Sequence, residues 1–210
     1  MKPDSLIFDL DGTLWNMNHV YLSTWQEVLK TRFPAVNLQQ EDIDRVIGLD
    51  FDTALAKMLP ELIIEDKQAL AQEAFDIQHR LLEAAAINLY PGVEAGIREL
   101  FLKYRLFIVS NCDAKTIPVF LKKSGLEPFF EDWRSHGQSG VSKDQNLSNL
   151  RKEYQLKSPV YIGDTHSDHA FSAKAKMEFW QVWYGFGLPI PGVRGFGSFS
   201  DILQFLSRTF

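Results

Sequence analysis

One cysteine, Cys112, stands in a chain of 210 residues. No intrachain disulfide can form, so the fold has to rest on a packed core, and a reducing compartment, the cytoplasm, is the expected setting. Long apolar runs are also missing. Nothing approaches the roughly 20 residues that cross a bilayer. Met1-Lys2-Pro3-Asp4 leads straight into a short apolar strand instead of the long apolar stretch of a signal peptide. No membrane partner is expected. Nor does charge of one sign collect anywhere: 22 Lys and Arg are interspersed with 27 Asp and Glu, for a formal charge of −5. Without a basic stripe, a nucleic-acid backbone is not an expected partner. The 45% of apolar residues suffice for a sizeable core. The length suits one large domain, or one domain carrying an insert.

What is present is a series of short β-rich apolar segments: Leu6-Ile7-Phe8, Leu106-Phe107-Ile108-Val109, Phe129-Phe130, Val160-Tyr161-Ile162 and Phe179 to Tyr184. Amphipathic stretches lie between them, Val93 to Tyr104, Ala114 to Lys123 and Lys143 to Tyr154. Strands alternating with helices predict an α/β fold, a Rossmann-like parallel sheet with helices on both faces. Several strands end on polar residues, Asp9, Ser110 and Gly163-Asp164, and such sheets bind ligands at the carboxyl ends of their strands. The interval 15–88 shows helical periodicity and no convincing strand. Helices are expected over Val20 to Thr31, Glu41 to Ile47, Asp52 to Met58 and Glu65 to Ala86, the last with Leu70, Ala74, Ile77, Leu81 and Ala85 on one face. Tyr90-Pro91-Gly92 marks the return. The domain reading is therefore a catalytic core of residues 1–14 and 89–210, with a small all-helical cap domain, 15–88, inserted after the first strand.

The strongest chemical signal is Asp9-Leu10-Asp11-Gly12-Thr13-Leu14, directly after that strand. Carboxylates two residues apart fall on one side of an extended chain, and Gly12 then permits a sharp turn. Two such charges repel unless a cation or a shared proton compensates. A calcium loop of the EF-hand type does not fit, because it needs glycine at position six and Glu at position twelve, where this chain has Leu14 and Val20. Ser110-Asn111 closes the second strand with hydroxyl, amide and backbone donors for phosphate oxygens. Lys143 opens a helix, where its ammonium and the helix N-terminus both attract anions. Gly163-Asp164-Thr165-His166-Ser167-Asp168 adds two carboxylates after another strand. Singly, these read as a turn serine, a solvated lysine and an N-cap aspartate; their joint placement at strand ends is what points to a site.

In these four segments the chain resembles the haloacid dehalogenase-like superfamily: Asp9-Leu10-Asp11-Gly12-Thr13, Ser110, Lys143, and Gly163-Asp164 with Asp168. Gly48 to Leu55 and Leu89-Tyr90-Pro91-Gly92 resemble the phosphoglycolate phosphatase-like branch, which carries a helical cap. The resemblance implies a phosphatase acting on a small phosphate ester, with Asp9 as nucleophile and Asp11 as general acid and base. It further implies Mg²⁺ held by Asp9, the Asp11 backbone carbonyl and Asp164, with Asp168 supporting. Physically, Mg²⁺ suits such oxygen ligands and would let Asp9 approach a phosphate dianion. Lys143 would offset charge on the transferring group, and Ser110 and Asn111 would orient its oxygens.

Departures from the pattern are Asp144 after Lys143, where many relatives have proline, Asn16-Met17 past the first motif, and an acidic Asp50-Phe51-Asp52. The last would repel a substrate with a second anionic group. The alternatives are a β-phosphoglucomutase-like mutase, a dehalogenase and an inactive phosphate-binding module. Asp50 and Tyr21 stand where the mutases carry Arg and His, Asp11 favours a leaving group that needs a proton, and no motif carboxylate is lost. A transition-metal site of His166 and His169 with Asp164 and Asp168, or Cys112 as nucleophile, would be separate chemistries. A monomer or a homodimer is expected.

Overall fold

The computed structural model describes residues 2–60 and 67–210. They form two compact units, one comprising residues up to Asn16 together with Asn88–Phe210, the other Met17–Ile87.

The second unit is helical: α1 (Asn18–Arg32), α2 (Gln40–Asp44), α3 (Phe51–Met58) and α4 (Lys67–Ala84). Buried Val20, Trp25, Val28 and Leu29 line α1, and Leu70, Ala74 and Leu82 line α4. Trp25 stacks on Phe51 at 5.8 Å, and Phe51 meets Phe75 edge-on at 5.3 Å. Asp50 caps α3, accepting from the Thr53 amide at 3.0 Å and the Thr53 hydroxyl at 2.8 Å. Glu65 and Asp66, expected to open the long helix, lie outside the described residues.

The first unit carries a six-stranded sheet in the order β3-β2-β1-β4-β5-β6, with every pair parallel. Its strands are β1 (Ser5–Phe8), β2 (Arg105–Ser110), β3 (Asp132–Ser135), β4 (Pro159–Gly163), β5 (Glu178–Val182) and β6 (Arg194–Phe196). Around it lie α5 (Val93–Phe101), α6 (Thr116–Ser124), α7 (His136–Ser139), α8 (Lys143–Glu153), α9 (His166–Lys174) and α10 (Phe199–Thr209). A strand buried on both faces needs a continuous apolar run, which is why Leu6-Ile7-Phe8 and Val160-Tyr161-Ile162 were legible as strands. Successive side chains of β1 point to opposite faces. Ile7 joins Phe107, Tyr161 and Phe179 in a cluster with Leu147 and Leu150 of α8, whereas Phe8 stacks on Phe199 of α10 at 5.9 Å. Helices therefore cover both faces, as an α/β sheet requires.

Two elements differ from expectation. Phe129-Phe130 is not a strand; Glu127–Phe129 forms a 3₁₀ turn, and Phe130 is buried edge-on against Phe8 at 6.4 Å. Its apolar character serves packing. The edge strand follows as Asp-Trp-Arg-Ser, whose half-buried polar residues give no apolar signal. β6 has only three residues, one of them Gly195, too short for a pattern.

Position follows from register. Phe8 pairs with Ile108 on one side and Ile162 on the other. Asp9, Ser110 and Asp164 consequently leave three adjacent strands at the same carboxyl edge.

Candidate active site

Asp9 is the residue that leaves β1. It is 1% exposed, and its amide donates to the Ile162 carbonyl of β4 at 2.8 Å. Lys143, the first residue of α8, is equally buried, and its Nζ donates to Asp9 Oδ1 at 2.8 Å and to Asp168 Oδ1 at 2.7 Å. Asp168 is aimed by its own helix end. In the capping box of α9, its Oδ2 accepts from the Thr165 amide at 3.0 Å and the Thr165 hydroxyl at 2.6 Å. The Tyr161 hydroxyl lies between the Val109 carbonyl at 3.0 Å and Asp168 Oδ1 at 3.3 Å.

Asp164, just past β4, is fully buried. Its Oδ2 accepts from the backbone amides of Phe186 at 2.6 Å and Gly187 at 3.4 Å, in the loop after β5. Its Oδ1 has no hydrogen-bond partner among the described residues. Glycines make the enclosure possible. A Cβ at Gly12, whose φ is +80°, would sit 2.3 Å from Asp164 Oδ2, and one at Gly185 would sit 2.4 Å from Asp164 Cβ.

One carboxylate oxygen from each of Asp9, Asp164 and Asp168 lies within 4.8 Å of the others. Three buried carboxylates thus face one ammonium. Burial pushes the Asp9 carboxyl up to about 6; Lys143 works against that rise and Asp168 adds to it. Burial, with Asp168 and Asp9 as neighbours, raises Asp164 well above the usual carboxylate range. Burial also acts to raise Asp168, but the charge and hydrogen bond of Lys143 and the bonds from Thr165 hold it below that range. For Lys143 burial opposes the charge, yet Asp168 and Asp9 raise its pKa above the ordinary value, so it stays an ammonium.

A residual negative charge, oxygen-only donors and one orphaned buried carboxylate oxygen fit a hard divalent cation. The carboxylate of Asp11 is not in this group. Its Oδ1 instead accepts from the indole Nε1–H of Trp15 at 2.8 Å. Ser110 is buried at the end of β2, and Asn111 beside it is half-buried. The histidines are elsewhere: His166 is exposed, the His169 ring packs on Phe179 at 5.4 Å, and neither joins the group of possible ligands among the described residues. Burial and the nearby Asp113 and Asp11 push the Cys112 thiol well up, which disfavours a thiolate nucleophile.

The model of the haloacid dehalogenase-like hydrolase family matches residues 6–182. The chain belongs to that family. It is similar to the pyrophosphatase PpaX of Listeria monocytogenes, with 31% identity over 179 residues, 80% of this chain and 77% of the relative. It is also similar to the phosphoglycolate phosphatase of Vibrio parahaemolyticus, with 26% identity over 200 residues, 88% of this chain and 86% of the relative. In fold it matches a haloacid dehalogenase-like family hydrolase of Streptococcus pneumoniae with a TM-score of 0.83 at 18% identity, covering 97% of this chain and 98% of that one.

Several residues of this hydrolase's site carried no sequence signal. Tyr161 reads as strand core and Thr165 as a helix cap. The contribution of Phe186 and Gly187 is backbone N–H, which no side-chain motif reports. The signal that could have found them is Gly185-Phe186-Gly187, two glycines shortly after a strand, a pattern that suits close backbone approach.

Proposed function

We propose that this hydrolase is a Mg²⁺-dependent phosphatase that takes the phosphoryl group of a small phosphomonoester onto Asp9. The observation that carries the reading is the Lys143–Asp9 bond of 2.8 Å beside Asp164, whose Oδ1 is buried without a hydrogen-bond partner among the described residues. Asp9, Asp164 and the Asp11 backbone carbonyl would hold the cation, with Asp168 supporting through Lys143. When bound, Mg²⁺ supplies the positive charge that lets a carboxylate approach a phosphate dianion. Lys143 keeps Asp9 oriented and offsets charge on the transferring group. Ser110 and Asn111 donate to its oxygens. An Asp9 oxygen forms the bond to phosphorus as the ester oxygen departs, and Asp11 gives that oxygen a proton. Asp11 then takes a proton from the water that attacks the aspartyl phosphate, releasing phosphate and restoring Asp9.

The helical unit enters the chain immediately after this first motif, and in our reading it is a cap, residues 15–88, that governs substrate choice. The names of similar proteins make pyrophosphate and 2-phosphoglycolate the first compounds to try, although Asp50 and Asp52 disfavour a second anionic group. Asp11 favours a phosphate ester over a haloacid, and the retention of Asp9, Asp11, Asp164 and Asp168 argues against a binding module. The single cysteine suits a cytoplasmic setting.

The test is a panel of phosphomonoesters and pyrophosphate, assayed with Mg²⁺ and then with chelator. Acid-quenched protein is mapped by mass spectrometry. Cation-dependent turnover with phosphate on Asp9 is expected; equal turnover in chelator, or phosphate on Ser110, would overturn the reading.

A further inference from the structure

Asp11 has a buried partner, Trp15, whose backbone is held in a turn and whose ring packs on Phe120. Asp11 is 7% exposed and Trp15 fully buried, with the indole N–H on Asp11 Oδ1. The Gly12 amide donates to the Trp15 carbonyl at 3.0 Å, closing the turn between the two residues. The Trp15 backbone bridges to Leu89, and the ring meets Phe120 of α6 edge-on at 5.3 Å. The turn and the bridge hold the Trp15 backbone in place, and the indole cannot turn away without losing the Phe120 ring contact.

A buried indole N–H almost always finds an acceptor, and a backbone carbonyl would serve as well. Here the acceptor is the carboxylate two residues beyond the nucleophile. Rotation of a carboxylate about its terminal torsion is soft, so one fixed donor sets the plane in which its oxygens lie. We propose that Trp15 is a positioning residue for proton transfer, its indole N–H fixing the orientation of the Asp11 carboxylate. The proposal rests on the reading of Asp11 as general acid and base. A proton donor works only within about 2.6–3.2 Å of its target, so a misplaced Asp11 is felt where the leaving group needs a proton. Alkyl phosphates release an alkoxide and have that need; a nitrophenyl phosphate releases a stabilised phenolate and does not.

Trp15→Phe keeps an aromatic ring against Phe120 and removes the donor. In single turnovers with Mg²⁺, alcohol release from an alkyl phosphate should slow about 10- to 100-fold. Nitrophenol release should slow by less than about threefold, by the same reasoning. Phe120→Leu loosens the same ring contact but leaves the N–H, so it should give a smaller loss in the same direction, still greater for the alkyl ester. On an Asp11→Asn background Trp15→Phe should add no selective loss. Equal slowing of both esters by Trp15→Phe, or a selective loss that persists without Asp11, overturns the proposal. Should Trp15→Phe not fold, the tryptophan isostere with sulfur in place of the N–H, placed at position 15, keeps the ring's size and is held to the same split. If Asp11→Asn itself slows both esters equally, Asp11 is not the acid, and the proposal falls with that reading. A selective Asp11→Asn beside an unselective Trp15→Phe removes the proposal alone.

Discussion

Asp9→Asn is expected to abolish turnover and, in the metal-free protein, to raise stability. Two effects compete at Asp9. Burial disfavours the carboxylate, and the Lys143 ammonium 2.8 Å away favours it. Burial together with the charge of Asp168 wins, because the carboxyl is pushed from 3.8 to about 6. Between those two values the folded chain holds a proton that the unfolded chain has released. Stability therefore falls as pH rises through this window, and the loss is complete above the folded value. Across that pH interval, at about 1.36 kcal/mol for each tenfold change in proton concentration, the loss is on the order of 3 kcal/mol. Asparagine has nearly the same shape, can still accept from Lys143 through its carbonyl, and carries no charge. In chelator at pH 8 the variant should exceed the wild type by up to about 3 kcal/mol, and the gap should close towards pH 4. At roughly 2–4 °C per kcal/mol for a chain of this size, that is about 6–12 °C in Tm. Thermal unfolding by circular dichroism at pH 8, 6 and 4 measures it. If Asp9 is a Mg²⁺ ligand as proposed, added Mg²⁺ should narrow the gap at pH 8, because it would stabilise the folded wild type more than a variant that lacks the charged ligand. A variant less stable than the wild type at pH 8, or a gap independent of pH, would refute the reasoning and show that the Lys143 pair outweighs burial.

Gly12→Ala places a Cβ 2.3 Å from Asp164 Oδ2 on a backbone at φ +80°, so a loss of about 2 kcal/mol or more is expected with weakened Mg²⁺ binding, read by unfolding and by calorimetry. Asp50→Asn with Asp52→Asn should keep the fold, because asparagine caps a helix as well as aspartate does, while substrate preference shifts towards esters with a second anionic group. An unchanged profile across the ester panel would mean that these two residues do not act on the substrate.

The central strands were legible in the sequence because burial on both faces leaves a strand no polar position. The edges were not. β3 is held by one neighbour only and spells Asp-Trp-Arg-Ser, whereas the aromatic pair before it is apolar because Phe130 packs beneath Phe8. Local hydrophobicity reports burial, and burial and strand need not coincide. In the helical unit the periodicity of α4 gave its buried side to within a residue: Leu70 and Ala74 are buried, but further along it is Leu82 that is enclosed while Leu81 is half-buried.

At the site, the residues legible in sequence are those whose side chains must be a particular chemical type at a strand end: Asp9, Lys143, Asp164 and Asp168 do converge. The illegible part is what holds them. Asp164 is enclosed by Gly12, which read as a turn, and by Gly185, far along the chain; a carboxylate filling the space of their missing Cβ atoms exists only in the fold. The same holds for charge. Counting Asp and Lys along the chain gives no excess at this point, because the four residues are spread over 160 positions. The fold collects three carboxylates and one ammonium, none more than 1% exposed, and hydrogen bonds answer the imbalance unevenly. Asp168 is satisfied by Lys143 and Thr165 and is held below the usual range, whereas Asp164 keeps one oxygen unmatched and is pushed well above it. A core selected for stability alone would have matched or removed that oxygen. Its retention, with two backbone amides fixing the other oxygen of the same carboxylate, is what the proposed role of Asp164 as a cation ligand calls for.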